Sequence, residues 1–179
     1  MRKSRGELRA RKRLRDLWQP GDLFHVFSRY PRRRGAKKMD RLAGILNHGL
    51  LAPAACNDGS VVCDLQIVVT GSSVPYDSVI FLHRFGPDSH IYTMIDPGRI
   101  AVFVDPTTPV LTPEDMGPHW AILSGDEVYV RDRVAVERLI GFVVHSADAE
   151  SVLDKHRSDF DRLGIPLYVC GGTAVWPQG

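Results

Sequence analysis

Strand-like runs in this sequence are many and short, and they do not alternate with helices. Apolar and β-branched residues gather at Leu23–Ser28, Val61–Thr70, Ser78–His83, Ile91–Met94, Ile100–Val104, Trp120–Leu123, Glu127–Val130, Leu139–His145 and Leu167–Cys170. Turn residues separate several of them, at Gly71-Ser72-Ser73-Val74-Pro75, Gly86-Pro87-Asp88 and Ser124-Gly125-Asp126, and a proline-rich loop runs from Asp105 to Pro118. Helical spacing is clearest in two places. Met39–Asn47 puts Leu42, Ile45 and Leu46 on one face, with Gly49 suited to its C-terminal cap. Ala147–Leu163 is longer and is ended by Gly164 and Pro166. A regular strand–helix alternation would predict a parallel sheet. This irregular order predicts an α+β fold.

Length and composition narrow the class. A chain of 179 residues suits one domain with its own core. The hydrophobic share of 44% and the charged share of 25% are those of an ordinary soluble globular protein. No apolar run approaches the roughly 18 residues of a membrane span. The basic N-terminus lacks the apolar stretch of a secretory signal, so a cytoplasmic protein is expected. Three cysteines, Cys56, Cys63 and Cys170, are too few for a disulfide framework. Cys56, Cys63 and His48 match no common zinc spacing, so no metal site is expected. The sequence has no GxxxxGK[ST], no GxGxxG after a strand, no HExxH and no GxSxG. A nuclease would need a carboxylate cluster for two metals, which the pattern does not offer.

Charge is strongly segregated. Residues 1–41 hold fifteen Lys or Arg against four acids, a net +11, which leaves −9 for the remainder of a chain of net +2. Such an arm suits a polyanion: nucleic acid, an anionic membrane surface or an acidic protein. A solvated tail is the plainer alternative. Leu8, Leu14, Leu17 and Trp18 have loosely helical spacing, so residues 6–18 fit a basic amphipathic helix. The division expected is a basic arm or helix over 1–20 and a single domain over 21–179.

Three stretches then belong together by their order. "LFHVFSR" (Leu23–Arg29) and "RLAGILNHGLLAP" (Arg41–Pro53) precede "GDEVYVRDRVAVERLIGFVV" (Gly125–Val144), with "VPYDSVIFLHRFGPDSHIY" (Val74–Tyr92) between them. This set resembles the NAD-binding core of the ADP-ribosyltransferases, in the branch with a histidine, an aromatic and a glutamate. In motif order it is similar to the DNA-modifying ADP-ribosyltransferase toxins. The resemblance implies two small antiparallel sheets forming an NAD cleft, and NAD as substrate. It implies His25 on the first strand at the adenosine ribose, with Phe27 and Gly49 in the same binding region. It implies a nicotinamide-stacking aromatic among Tyr76, Phe81 and Tyr92, Arg84 on the NAD phosphates, and Glu127 as the catalytic carboxylate at the nicotinamide ribose. Two residues before Glu127 stands Gly125, not a second acid or amide, which departs from the arginine-modifying type.

The chemistry accounts for these residue types. Breaking the nicotinamide–ribose bond builds oxocarbenium-like charge on the ribose, and a rigidly held carboxylate beside the 2-hydroxyl favours that charge. An aromatic face positions nicotinamide by stacking. An imidazole N–H can donate to ribose or phosphate oxygens while neutral. Each residue also has a plainer role. His25 suits a half-buried strand histidine with a backbone partner, Glu127 a strand-end acid paired with Arg131 or Arg133, and Gly49 a helix cap. Two functions are therefore expected as competitors. One is an NAD-dependent ADP-ribosyltransferase acting on a macromolecular acceptor, nucleic acid among the candidates. The other is a non-catalytic polyanion-binding module built on a decayed transferase fold.

Overall fold

The computed structural model describes residues 16–30, 40–52, 78–86, 91–112, 115 and 126–177, with 92 and 93 described by backbone alone. The expected strands at Val61–Thr70 and Trp120–Leu123, the loop at 31–35, most of the basic arm, Cys56, Cys63 and Tyr76 lie outside the described residues. The strands are β1 (Leu23–Ser28), β2 (Leu50–Leu51), β3 (Val79–Arg84), β4 (Arg99–Val104), β5 (Glu127–Arg131), β6 (Arg133–Val134), β7 (Leu139–Val144), β8 (Leu167–Val169) and β9 (Ala174–Trp176). The helices used below are α1 (Arg41–His48), the single turn α2 (Ile91–Met94) and α3 (Ala149–Leu163).

The class is α+β, but the strands are not divided between two small antiparallel sheets. Seven join one sheet in the order β5-β3-β1-β4-β7-β8-β9, and β2 and β6 form a separate pair. The large sheet is mixed because β7 and β8 run parallel. Helix α3 supplies the crossover that a parallel pair needs. A second departure is α2, where a strand is expected. Ile91, which opens the turn, and Ile95, which follows it, are both buried in the same cluster as Phe85.

Alternation along the strands sorts the core into two clusters. On one face Leu23, Phe27, Leu82, Val102 and Phe142 pack against Leu42 and Leu46 of α1 and Val152 and Phe160 of α3. On the other, Phe24, Ala101, Phe103 and Val143 pack under Trp18, Phe85, Ile91 and Ile95. Trp18 stacks on Phe103 with ring centroids 3.9 Å apart. Gly141 makes this possible, since a Cβ there would overlap the Trp18 ring. Each such fully buried side chain contributes roughly 1.5–3 kcal/mol.

Helix ends follow local chemistry. Asp40 caps α1 by accepting from the Leu42 N–H at 3.2 Å. Gly164 closes α3 in the left-handed region at φ 64°, its N–H reaching the Phe160 carbonyl at 2.9 Å.

Candidate functional site

Strand β1 has two unlike borders. Against β4 it is paired in register from Leu23↔Val104 through Ser28↔Arg99. Against β3 only Leu23↔Arg84 and Phe24↔His83 are paired. Beyond Phe24 the backbone ladder stops and a side chain takes over. His25 Nδ1 lies 2.8 Å from the Phe81 carbonyl oxygen. A carbonyl only accepts, so Nδ1 carries the proton and donates. Burial pushes the imidazole down to about 4, the charges of His83 and Arg41 act in the same direction, and the Phe81 bond opposes them. His25 is therefore neutral at pH 7, and its Nε2 is an acceptor with no hydrogen-bond partner among the described residues. The N–H expected to donate to a ligand is committed to Phe81, so a ligand group meeting Nε2 must itself be a donor, such as a ribose hydroxyl.

Beyond β3 lies β5, paired from Val79↔Arg131 to His83↔Glu127. Glu127 opens β5 and is half-buried. Its carboxylate accepts from the Tyr129 hydroxyl at 3.0 Å. Among the described residues it forms no ion pair with Arg131 or Arg133. Tyr129 in turn meets Phe81 edge-on, with centroids 5.0 Å apart. Glu127, Tyr129, Phe81 and His83 thus form one constellation on one face of the β3–β5 pair.

The remaining expected residues divide. Phe27 is only 6% exposed and belongs to the helix-side core, stacked near-parallel to the His25 ring at 6.2 Å. Gly49 has φ 79°, and its N–H reaches the Ile45 carbonyl at 2.8 Å. A Cβ on Gly49 would overlap the Val134 carbonyl, so the glycine is what lets β2 lie against β6. Arg84 ends β3, exposed, and its backbone N–H bonds the Asp126 carbonyl at 2.8 Å. Tyr76 lies outside the described residues, and so does the side chain of Tyr92.

Faces separate the two residues on which the resemblance most depends. His25 shares its face with Leu23 and Phe27, opposite Val102 in register. Glu127 is opposite His83, which is opposite Phe24, on the other face. The Phe81 backbone is the link between them, its carbonyl held by His25 and its ring by Tyr129. Tyr129 is the functional candidate that sequence reasoning missed. Its signal was present: spacing of two along a strand puts it beside Glu127.

A buried charge cluster fixes the far end of β1. Asp40 Oδ2 takes Arg29 Nε at 3.1 Å, Lys155 Nζ at 3.0 Å and His156 Nε2 at 3.0 Å. Burial would raise the Asp40 carboxyl, but the bonds from His156 and Lys155 and the charge of Arg29 outweigh it and hold it at about 2. Arg29 also reaches the Ser151 hydroxyl at 3.1 Å, so the end of β1, the start of α1 and the middle of α3 are tied together.

Burial raises the Cys170 thiol to about 11, helped by the charge of Asp96, which disfavours the thiolate. Among the described residues no helix is long and apolar enough to cross a membrane. No protein-family model, curated protein or solved structure matches the chain.

Proposed function

We propose that the chain is an NAD-dependent ADP-ribosyltransferase in which Glu127 is the catalytic carboxylate. The observation that carries this reading is a strand-borne glutamate whose carboxylate is held by the Tyr129 hydroxyl, on the same face as the Phe81 ring. A neutral histidine where the β1–β3 ladder ends and, one strand further on, a held carboxylate are polar groups that a ligand can use. Glu127 would favour the cationic ribose as the C1–N bond breaks, the bonding pair leaving with nicotinamide and an acceptor nucleophile taking C1. The Tyr129 hydroxyl holds that carboxylate in place. Phe81 is the stacking aromatic best placed among the described candidates. His25 Nε2 accepts from a ribose hydroxyl, and Arg84 is the cation for the NAD phosphates. The basic residues 1–41 suit a nucleic-acid acceptor.

The competing reading, a non-catalytic polyanion-binding module on a decayed transferase fold, is favoured by the opposite facing of His25 and Glu127. NAD decides between them. A transferase is stabilised by NAD, by about 2.7 kcal/mol at one hundred times Kd, and releases nicotinamide slowly even without acceptor. A melting temperature unmoved by millimolar NAD, with no nicotinamide released, leaves the binding module.

A further inference from the structure

A pocket of about 510 Å³ lies between the segment Thr108–Leu111 and the bend that joins β5 to β6. Its position follows from the backbone. The Leu111 N–H bonds the Tyr129 carbonyl at 2.8 Å, which lays this segment along the free edge of β5. The chain bends from β5 into β6 through Asp132 at φ 61°, in the left-handed region that aspartate tolerates better than most residues. The bend is tethered twice, from the Asp132 N–H to the Ser78 carbonyl and from the Ala52 N–H to the Asp132 carbonyl, each at 2.8 Å. Arg131 and Arg133 therefore flank a held bend, and both line the pocket.

Arg138 completes a set of three guanidinium groups on the lining. Its Nη1 is held by Asp105 Oδ2 at 3.2 Å and by Thr107 Oγ1 at 2.8 Å, which orients the group and leaves other N–H donors for a ligand. Arg131 and Arg133 are exposed and form no ion pair among the described residues. The lining has one carboxylate, Asp115, which already accepts from the Thr112 N–H at 2.8 Å and hydroxyl at 3.0 Å. Thr108, also on the lining, is 6% exposed, and its hydroxyl has no hydrogen-bond partner among the described residues. A buried hydroxyl without a partner is unfavourable, and a ligand oxygen can supply one.

We propose that this pocket binds a phosphate group, carried by a free nucleotide or by a nucleic-acid strand. Planar guanidinium forks match phosphate oxygens two at a time, and three such groups against two carboxylates, Asp115 and the Asp105 that pairs with Arg138, leave a net positive site. Val110, Leu111 and Val134 give it an apolar side on which a sugar or base can rest. The pocket is separate from Glu127: Arg131 stands four residues further along β5, on the order of 13 Å at strand spacing. The proposal therefore stands apart from the transferase reading.

The test uses the full chain, an Arg131→Gln/Arg133→Gln pair, and an Arg99→Gln/Arg157→Gln pair that removes the same charge at exposed positions elsewhere. Pyrophosphate, AMP and a labelled single-stranded oligonucleotide are titrated into each, after melting curves establish that all three forms fold. Loss of pyrophosphate and AMP affinity by about tenfold or more in the pocket pair alone supports a site for free phosphates. Loss of oligonucleotide affinity alone, again only in the pocket pair, supports the same site reading a phosphodiester. Equal weakening in both pairs, no weakening in either, or no binding of any probe by the wild type overturns the proposal.

Discussion

The two borders of β1 share one set of residues and have opposite characters. Toward β4 the ladder runs the whole strand, and the side chains it aligns, Leu23, Phe24, Phe27, Val102 and Phe103, are all core. Toward β3 two residue pairs suffice, and then an imidazole stands in for the backbone donor. Along the complete border the aligned side chains are mostly apolar. The interrupted one leaves a neutral histidine with an accepting nitrogen, a held carbonyl and, one strand further on, a positioned carboxylate. The first border should report stability when it is cut, and the second should report pH and ligand.

The largest effect on stability is expected at the complete border. Phe103→Ala removes the ring on which Trp18 stacks and should lower unfolding free energy by about 3–5 kcal/mol, read by denaturant melts. A loss under 1 kcal/mol would mean that the second cluster is loosely packed and that the contrast between borders is overstated.

The interrupted border should show itself in acid. Folded His25 takes its proton only near pH 4, whereas the unfolded chain takes it near the ordinary value of 6.5. The unfolded state therefore binds more protons between these values, and stability must fall as pH drops from 6.5 to 4, by about 3 kcal/mol at most. His25→Gln keeps a donor for Phe81 without a titrating ring, so its stability should stay flatter across that window. The Asp40 cluster acts lower. Its depressed carboxylate stabilises above the ordinary value of 3.8 and loses that contribution as pH falls toward 2, in both proteins. Parallel curves for wild type and variant between pH 6.5 and 4 would remove His25 from the account.

Gly49→Ala tests whether the glycine has a structural role independent of any ligand. A methyl against the Val134 carbonyl, at positive φ, should cost about 1–3 kcal/mol in the absence of any ligand. The smallest effect belongs to Tyr129→Phe. It removes one hydrogen bond to Glu127, so nicotinamide release should fall by about tenfold or less, with stability changed by about 1 kcal/mol.

Much of the fold was legible because alternation and caps are local signals. The span Leu23–Ser28 emerges with the expected bounds, and α1 begins at Arg41 rather than Met39 because Asp40 takes the cap. Strands β2 and β6, of two residues each, are too short for any period to register. The hairpin into β9 turns at Gly172, φ 77°, within a glycine pair that reads only as a loop. The site was less legible because it depends on pairing. Sequence spacing places His25 and Phe27 on one face of β1, and Phe27 accordingly lies in the core. Which face Glu127 shares depends on the register of β5 with β3 and of β3 with β1. Those contacts join residues far apart in the chain, and no local pattern encodes them.

If the Glu127 carboxylate acts on NAD, Glu127→Gln is the sharpest probe of it. The exchange is nearly isosteric and keeps an oxygen for the Tyr129 hydroxyl while removing the charge. Nicotinamide release and NAD-dependent melting are measured on wild type and variant from matched preparations. The account predicts an unchanged melting curve, retained NAD binding and a rate lower by at least about one hundredfold, roughly 3 kcal/mol of transition-state stabilisation. A folded Gln variant that releases nicotinamide at the wild-type rate would contradict it.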